Sequence, residues 1–388
     1  MNSPCETSDL LVFSHSRWDN IYQRQQHLLS RYAKFRRVYF IEDAITGITR
    51  EYRSHVKKIA DNISVIVPYL PKDMNEMATS DAMKEILNEL IQTEKITNFT
   101  TLYYTPKYLN YASHLNPSVI LFDCMDDQSY LNENELLNKA NLIFTSSQSL
   151  YEEKNPYHYN LHLLPNSVDY DHFAQSRLLM SEPEEQINIP HPRIGYHGMI
   201  DEKFDVDLLE SMADLRPEFH FIIMGTVIGI DPKILPIKSN IHYLGNKDYQ
   251  TLPQYFSSWD CSFIPYAIND VARFSGPTKI PEFLASGKPV VSTSIFDIIH
   301  PYADAKLIYI ADHPEHFVEC IEKAINESNY DPEWLERVDQ FLEGKSWDAT
   351  FQQMAGLEID AIKMNKKSIN SRYIPAYMDS ALISIGIV

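Results

Sequence analysis

The sequence predicts an α/β protein of two doubly wound parallel sheets joined by a linker. Three observations carry that expectation. Short, near-continuous apolar runs alternate with longer segments of helical spacing, the pattern of parallel strands buried on both faces. The alternation stops once, in the polar, acidic stretch SRLLMSEPEEQINIPHP (176–192), and then restarts. The length of 388 residues accommodates two domains of ordinary size.

In chain order, the apolar run at 10–13 is the first expected strand, and it ends in the polar loop SHSRWDN (14–20). A Gln- and Arg-rich segment at 21–34 has helical spacing, and apolar strands are expected at 38–41 and 63–67. A helix at about 81–90, strands at 101–104 and 119–122 and a helix at 131–140 come next. Strand 142–145, helix 148–153 and strand 161–164 close the first half. Beyond the linker come strand 193–196, helix 206–215, strands 219–224 and 241–244, helix 252–257 and strand 261–264. The stretch 275–293 adds a helix and a strand, before a strand at 306–310 and a helix at 315–327. A last helix over 347–363 is long enough to return from the second domain to the first. The expected organisation is therefore a first domain at 1–175, a second at 190–345, the returning helix at 346–366 and a patternless tail at 367–388.

Ligands of open α/β sheets bind beyond the carboxyl ends of the strands. Chemistry is thus expected in the loops at 15–20, 123–130, 165–169, 197–203, 225–230 and 267–278. None carries a GxGxxG or P-loop signature, which argues against dehydrogenases and P-loop NTPases. The net charge of −19 argues against a nucleic-acid partner. Two local basic patches, 31–37 and 50–58, are candidates for peripheral contact with an anionic inner membrane face, against the commoner reading of a solvated surface. No apolar run reaches the roughly 18 residues of a membrane span. The N-terminus has no basic segment before its first apolar run, which reads as a strand and not a secretion signal. Cys5, Cys124, Cys261 and Cys320 form no CxxC pair, so zinc is not expected and a reducing cytoplasm fits best.

SGPTKIPEFLASGKPVVST (275–293) is the densest local signal. A Gly-Pro break precedes apolar residues at helical spacing, Gly287 stops the helix, and Pro289 leads into the Val290-Val291 strand. Lys279 and Glu282 fall in the first helical turn. A helix N-terminus favours anions, Lys279 adds a full charge, and Glu282 suits a neutral polyol such as ribose. That combination fits a nucleoside diphosphate.

Four stretches in one order resemble the GT-B-fold retaining glycosyltransferases of family 4, the group 1 glycosyltransferases. LPNSVDYDHF (164–173) is similar to the family's PNGVD-x-x-x-F, and IGYHGMIDEKFDVDLL (194–209) to the glycine-then-Lys/Arg loop of its nucleotide domain. NIHYLGNKDYQTLPQYF (240–256) and PTKIPEFLASGKPVVST (277–293) resemble the strand-Leu-Gly segment and the signature helix and strand. In the first half, SHSRWDNIYQRQQHLLSRYA (14–33) and LFDCMDDQSYL (121–131) are similar to a bacterial subgroup linked to surface polysaccharides.

The resemblance implies two Rossmann-like domains facing a cleft, and transfer of a sugar with retention from a nucleotide-diphosphate donor to a saccharide or lipid-linked acceptor. No metal or other cofactor is expected; the MDD segment at 125–127 has no further flanking ligands. Lys203 and Lys279 match the family's diphosphate positions, and Glu282 the ribose carboxylate. Gly276, Pro277, Thr278, His197, Gly198, Gly225 and Asn269 complete the expected donor site. Asp126 and Asp127, on a strand-end loop, and His15 are candidates to orient or deprotonate an acceptor hydroxyl. Trp18, by stacking, and Arg24 are the expected acceptor contacts; Arg24 shares a helix face with His27.

Two positions depart from the family pattern. Phe274 stands where a first glutamate is usual, so donor-sugar contacts are expected elsewhere, at Asn269, Asp270 or Arg273. Ser167 replaces a usual glycine. A sugar-nucleotide epimerase of the same architecture and a non-catalytic sugar-nucleotide-binding protein are the rival readings.

Overall fold

Leu10–Phe13 offers only apolar side chains to both faces of a strand, so it is stable only in the middle of a covered sheet. In the computed structural model, which describes residues 8–128, 131–178, 181–274, 276, 278–328 and 331–372, that is where it lies. The first sheet contains β1 (Asp9–Phe13), β2 (Val38–Ile41), β3 (Ile45–Thr46), β4 (Arg53–Ala60), β5 (Ile63–Leu70), β6 (Phe99–Tyr103), β7 (Ile120–Cys124), β8 (Leu142–Thr145) and β9 (Leu161–Leu163). Its order is β3-β5-β2-β1-β6-β7-β8-β9, with β4 on the free side of β5. Alternate residues of β1 feed opposite cores: Leu11 and Phe13 pack with the Glu76–Thr93 helix, Leu10 and Val12 with the Arg24–Tyr32 helix.

The second sheet contains β10 (Arg193–His197), β11 (His220–Met224), β12 (Ile241–Gly245), β13 (Cys261–Ile264), β14 (Val290–Ser292) and β15 (Tyr309–Ile310). All its pairings are parallel, in the order β12-β11-β10-β13-β14-β15. This is the doubly wound order that reverses direction between its first and fourth strands. The first sheet reverses in the same way between β1 and β6.

β4 is antiparallel to β5, a departure from the all-parallel expectation. Its residues are almost all exposed, and Arg53, His55, Lys57 and Lys58 line it. Charged side chains on an edge strand discourage pairing with other chains, and the lack of a buried face is why no strand pattern showed there. The basic patch at 50–58 lies on this edge, and Lys57 is engaged with Asp19 at 2.5 Å.

The acidic linker does not hang free. It holds the short helix Glu184–Ile187, and the Gln186 side chain donates to the Tyr255 carbonyl while accepting from the Trp259 indole at 3.0 Å. A helix at Pro332–Leu342, absent from the sequence reading, starts with Asp331 capping the Trp334 amide and proline at the first helical position. The chain then returns: the C-terminal helix, Trp347–Arg372, lays Trp347, Met354, Ala361 and Ile362 into the core beneath β1 and β2. Ser167, in place of a glycine, shares a 2.7 Å hydrogen bond with Thr350 of that helix.

Candidate functional site

The two sheets present their strand ends to each other, with a cavity between them. Its walls come from the switch points: His15 and Ser16 after β1, Tyr104 after β6, Met125 and Asp126 after β7, and from the facing domain Gly198, Met199, Asp201 and Lys203 after β10 and Tyr266 after β13. Gly276, Thr278 and Lys279 close one side. The expected residues Lys203, Lys279, Asp126, His15, Gly198, Gly276 and Thr278 are thus brought together, while Pro277 lies outside the described residues.

The central contact crosses the cleft. Lys203 Nζ stands 2.7 Å from Asp126 Oδ1. Burial alone would raise the Asp126 pKa, but Lys203 and, more weakly, His15 bring it below the usual carboxylate range. Burial likewise opposes the Lys203 charge, and Asp126 more than offsets it, so Lys203 is held above an ordinary lysine. Asp201, which accepts from the Lys203 amide at 3.0 Å, is shifted upward by burial. His15 is open to solvent by surface but enclosed by the cleft walls, and this desolvation lowers its pKa against the pull of Asp126. It is therefore neutral at neutral pH.

Lys279 is 4% exposed and is paired with Glu282 at 3.1 Å. Glu282 is equally buried and, despite Lys279, desolvation raises its pKa. It sits behind Lys279 and does not line the cavity, so its carboxylate serves first as the lysine's counter-charge. His197 is also behind the wall, its pKa pushed well down by burial and by Lys279. Gly225 acts through the backbone: its φ is +151°, and a Cβ there would meet the Gly198 carbonyl oxygen at 1.7 Å. It allows the β10 and β11 loops to touch.

Other expected residues are placed elsewhere. Asp127 turns to Lys154 at 3.1 Å. Asn269 is exposed and caps the Asp270–Arg273 helix through the Ala272 amide. The two expected acceptor contacts are both corrected. Trp18 is buried, its ring roughly perpendicular to that of Phe40 at 5.2 Å, and it does not line the cavity. Arg24 is fully buried, bidentate to Asp123 at 2.8 and 3.0 Å, with a third bond to the Leu164 carbonyl. Its donors are spent on the core, and its neighbours Gln23 and Gln25 reach the cavity instead. Phe274 packs against the core of the first domain, and the exposed Arg273 lies over its ring at 5.0 Å.

Sequence reasoning missed several wall residues, chiefly Gln25, Ser146, Asn166 and Tyr266. Asn166 is 7% exposed and its Oδ1 has no hydrogen-bond partner. The signal was available, since Asn166 belongs to the LPNSVD segment. Among the described residues, no cluster of three His, Cys, Asp or Glu side chains could hold a metal ion, and no helix is long and apolar enough to cross a membrane.

Residues 191–327 match the family model described as glycosyl transferases group 1. Over 232 residues the chain is 25% identical to TuaH of Bacillus subtilis (strain 168), assigned to teichuronic acid biosynthesis as a glycosyltransferase; the match covers 57% of each chain. The chain thus matches TuaH over little more than half of that protein's length. Three solved structures share the fold. Sucrose-phosphate synthase of Thermosynechococcus elongatus aligns with a TM-score of 0.64 at 15% identity, over 94% of this chain and all of that one. WaaG, a glycosyltransferase involved in lipopolysaccharide biosynthesis, gives 0.62 at 12%, over 89% and 98%. Anabaena HepE, in complex with UDP and glucose, gives 0.58 at 12%, over 94% and 99%. The fold is GT-B.

Proposed function

We propose, from the premise that residues 191–327 form a group 1 glycosyltransferase domain, that this chain is a cytoplasmic glycosyltransferase. In this reading it moves a sugar from a UDP- or GDP-linked donor to a saccharide or lipid-linked acceptor, with retention, in the synthesis of a surface polysaccharide. The observation that carries the reading is the convergence of Lys203 and Lys279 on one cavity whose opposite wall is Asp126 and His15. The assignment of TuaH to teichuronic acid biosynthesis supports the polysaccharide part, and the UDP and glucose of HepE support the donor class.

When the bond between the anomeric carbon and the diphosphate oxygen breaks, the diphosphate gains negative charge. Cations already aimed at it stabilise that charge without rearrangement. The acceptor oxygen forms the new bond on the face the leaving group departs from, and its proton passes to the departing phosphate oxygen. No enzymic nucleophile is required. In this reading ionised Asp126 and neutral His15 accept a hydrogen bond from the acceptor hydroxyl and so aim it. With Phe274 in place of a carboxylate, the neutral amides of Gln25 and Asn166 are the groups suited to sugar hydroxyls.

The test is calorimetric titration with UDP and GDP. Lys203→Ala and Lys279→Ala are each expected to weaken binding about ten-fold or more, the loss of one charge-assisted contact. Binding indifferent to both substitutions would remove the reading. Conversion of the donor alone into its C2 epimer, seen by NMR, would transfer the chain to the epimerases.

A further inference from the structure

Lys203 and Asp126 belong to different domains, yet each is held so that their charges meet in the middle of the cleft. The Lys203 backbone is fixed on both sides, its amide donating to Asp201 Oδ1 at 3.0 Å and its carbonyl accepting from the Ala267 amide at 2.8 Å. Asp126 follows the end of β7 by two residues. The lysine side chain is 18% exposed and the aspartate 42%, so the pair is neither a freely solvated contact nor a sealed core one. A carboxylate and a phosphate oxygen offer an ammonium group the same kind of acceptor, and the diphosphate carries more charge.

We propose that Asp126 and the donor's diphosphate compete for Lys203, so that donor binding releases the Asp126 carboxylate to the acceptor hydroxyl. The inference rests on the glycosyltransferase reading, because it needs a diphosphate at Lys203. It adds a role for Asp126, opposing the donor, that the family assignment does not contain. Until the diphosphate has taken the lysine, the carboxylate that would aim the acceptor is engaged, and the ion pair spans the passage between the domains. Asp126 in this scheme suppresses donor affinity while serving the acceptor, two effects of opposite sign from one residue.

That opposition makes the test specific. Asp126→Asn keeps the shape of the side chain and removes its charge. Titrated with UDP, and with GDP alongside, the variant is expected to bind the diphosphate about five-fold tighter than the parent protein. Its binding of uridine, which brings no phosphate to Lys203, should be unchanged. Asp126→Ala should show the same gain, and a damaged fold could only lower affinity. If Asp126→Asn binds UDP and GDP no tighter while Lys203→Ala still weakens both, the competition is overturned and the glycosyltransferase reading stands. If Lys203→Ala has no effect on either nucleotide the competition is overturned, and if Lys279→Ala has none either, the glycosyltransferase reading falls with it.

Discussion

Arg24 has no exposed surface, and its guanidinium makes three hydrogen bonds, two to Asp123 and one to the Leu164 carbonyl. It ties the first helix to β7 and to the start of the interdomain crossing, which fixes the loops that carry His15 and Asp126. Removing one partner of such a pair strands a charge in a dry site, whereas replacing both by apolar groups leaves little to satisfy. Arg24→Met is therefore expected to destabilise the first domain by about 3–5 kcal/mol, and the double variant Arg24→Met/Asp123→Leu to recover much of that loss. Urea unfolding followed by tryptophan fluorescence measures both. Equal losses in the single and double variants would show that Arg24 acts by its volume and not by its charge.

At the scale of elements, the C-terminal helix is a structural part of the first domain although it is last in sequence. Thr350, Met354, Glu358 and Ala361 are buried at spacings of three and four residues, a continuous stripe. Within it Glu358 accepts from Arg36 Nη1 and Nη2 at 2.8 and 2.9 Å and from Thr100 at 2.9 Å. Glu358→Ala is expected to cost about 3–5 kcal/mol and to shift the unfolding of the first domain alone, which calorimetry resolves if the domains melt separately. The stripe explains why this helix was legible from sequence, as were strands such as Val38–Ile41 and Leu142–Thr145, whose apolar residues are continuous. β4 was not, because an exposed edge strand has no buried face to leave a period. The site divides along a similar line. Lys203 and Asp126 each sit in a loop that strand order marks for chemistry, but their meeting depends on how two domains face each other, which no local pattern encodes. Arg24 and Trp18 were misplaced because a helix face or a loop position does not reveal depth. Gln25 and Asn166 were missed because neutral amides give no signal of charge or period.

For the whole molecule, the domains are joined by more than the chain crossings. Asp297 of the second accepts from the Gln148 and Ser149 amides of the first at 2.8 and 3.2 Å, and Asn246 donates to the Asn20 carbonyl at 2.8 Å. His27 sits where three parts converge. It stacks on Trp347 of the C-terminal helix at 4.6 Å, and meets Tyr22 of its own domain and Tyr249 of the second edge-on. Burial, with Arg31, Lys279 and His172 facing it, lowers its pKa to about 2. The unfolded chain, in which histidine titrates near 6.5, then binds a proton that the folded chain refuses. Stability must fall as pH drops below about 6.5, by up to roughly 1.4 kcal/mol per pH unit from this one group, and the loss continues down to the folded value. Other buried imidazoles, His197 among them, act in the same direction. The contribution of His27 is isolated by His27→Leu. That variant should be somewhat less stable at pH 7.5, having lost the stack on Trp347, yet its stability should decline between pH 7.5 and 5.5 by about 1.4 kcal/mol less than that of the parent. Denaturant midpoints at the two pH values test this, and parallel declines would mean that His27 does not link proton uptake to the junction of the domains.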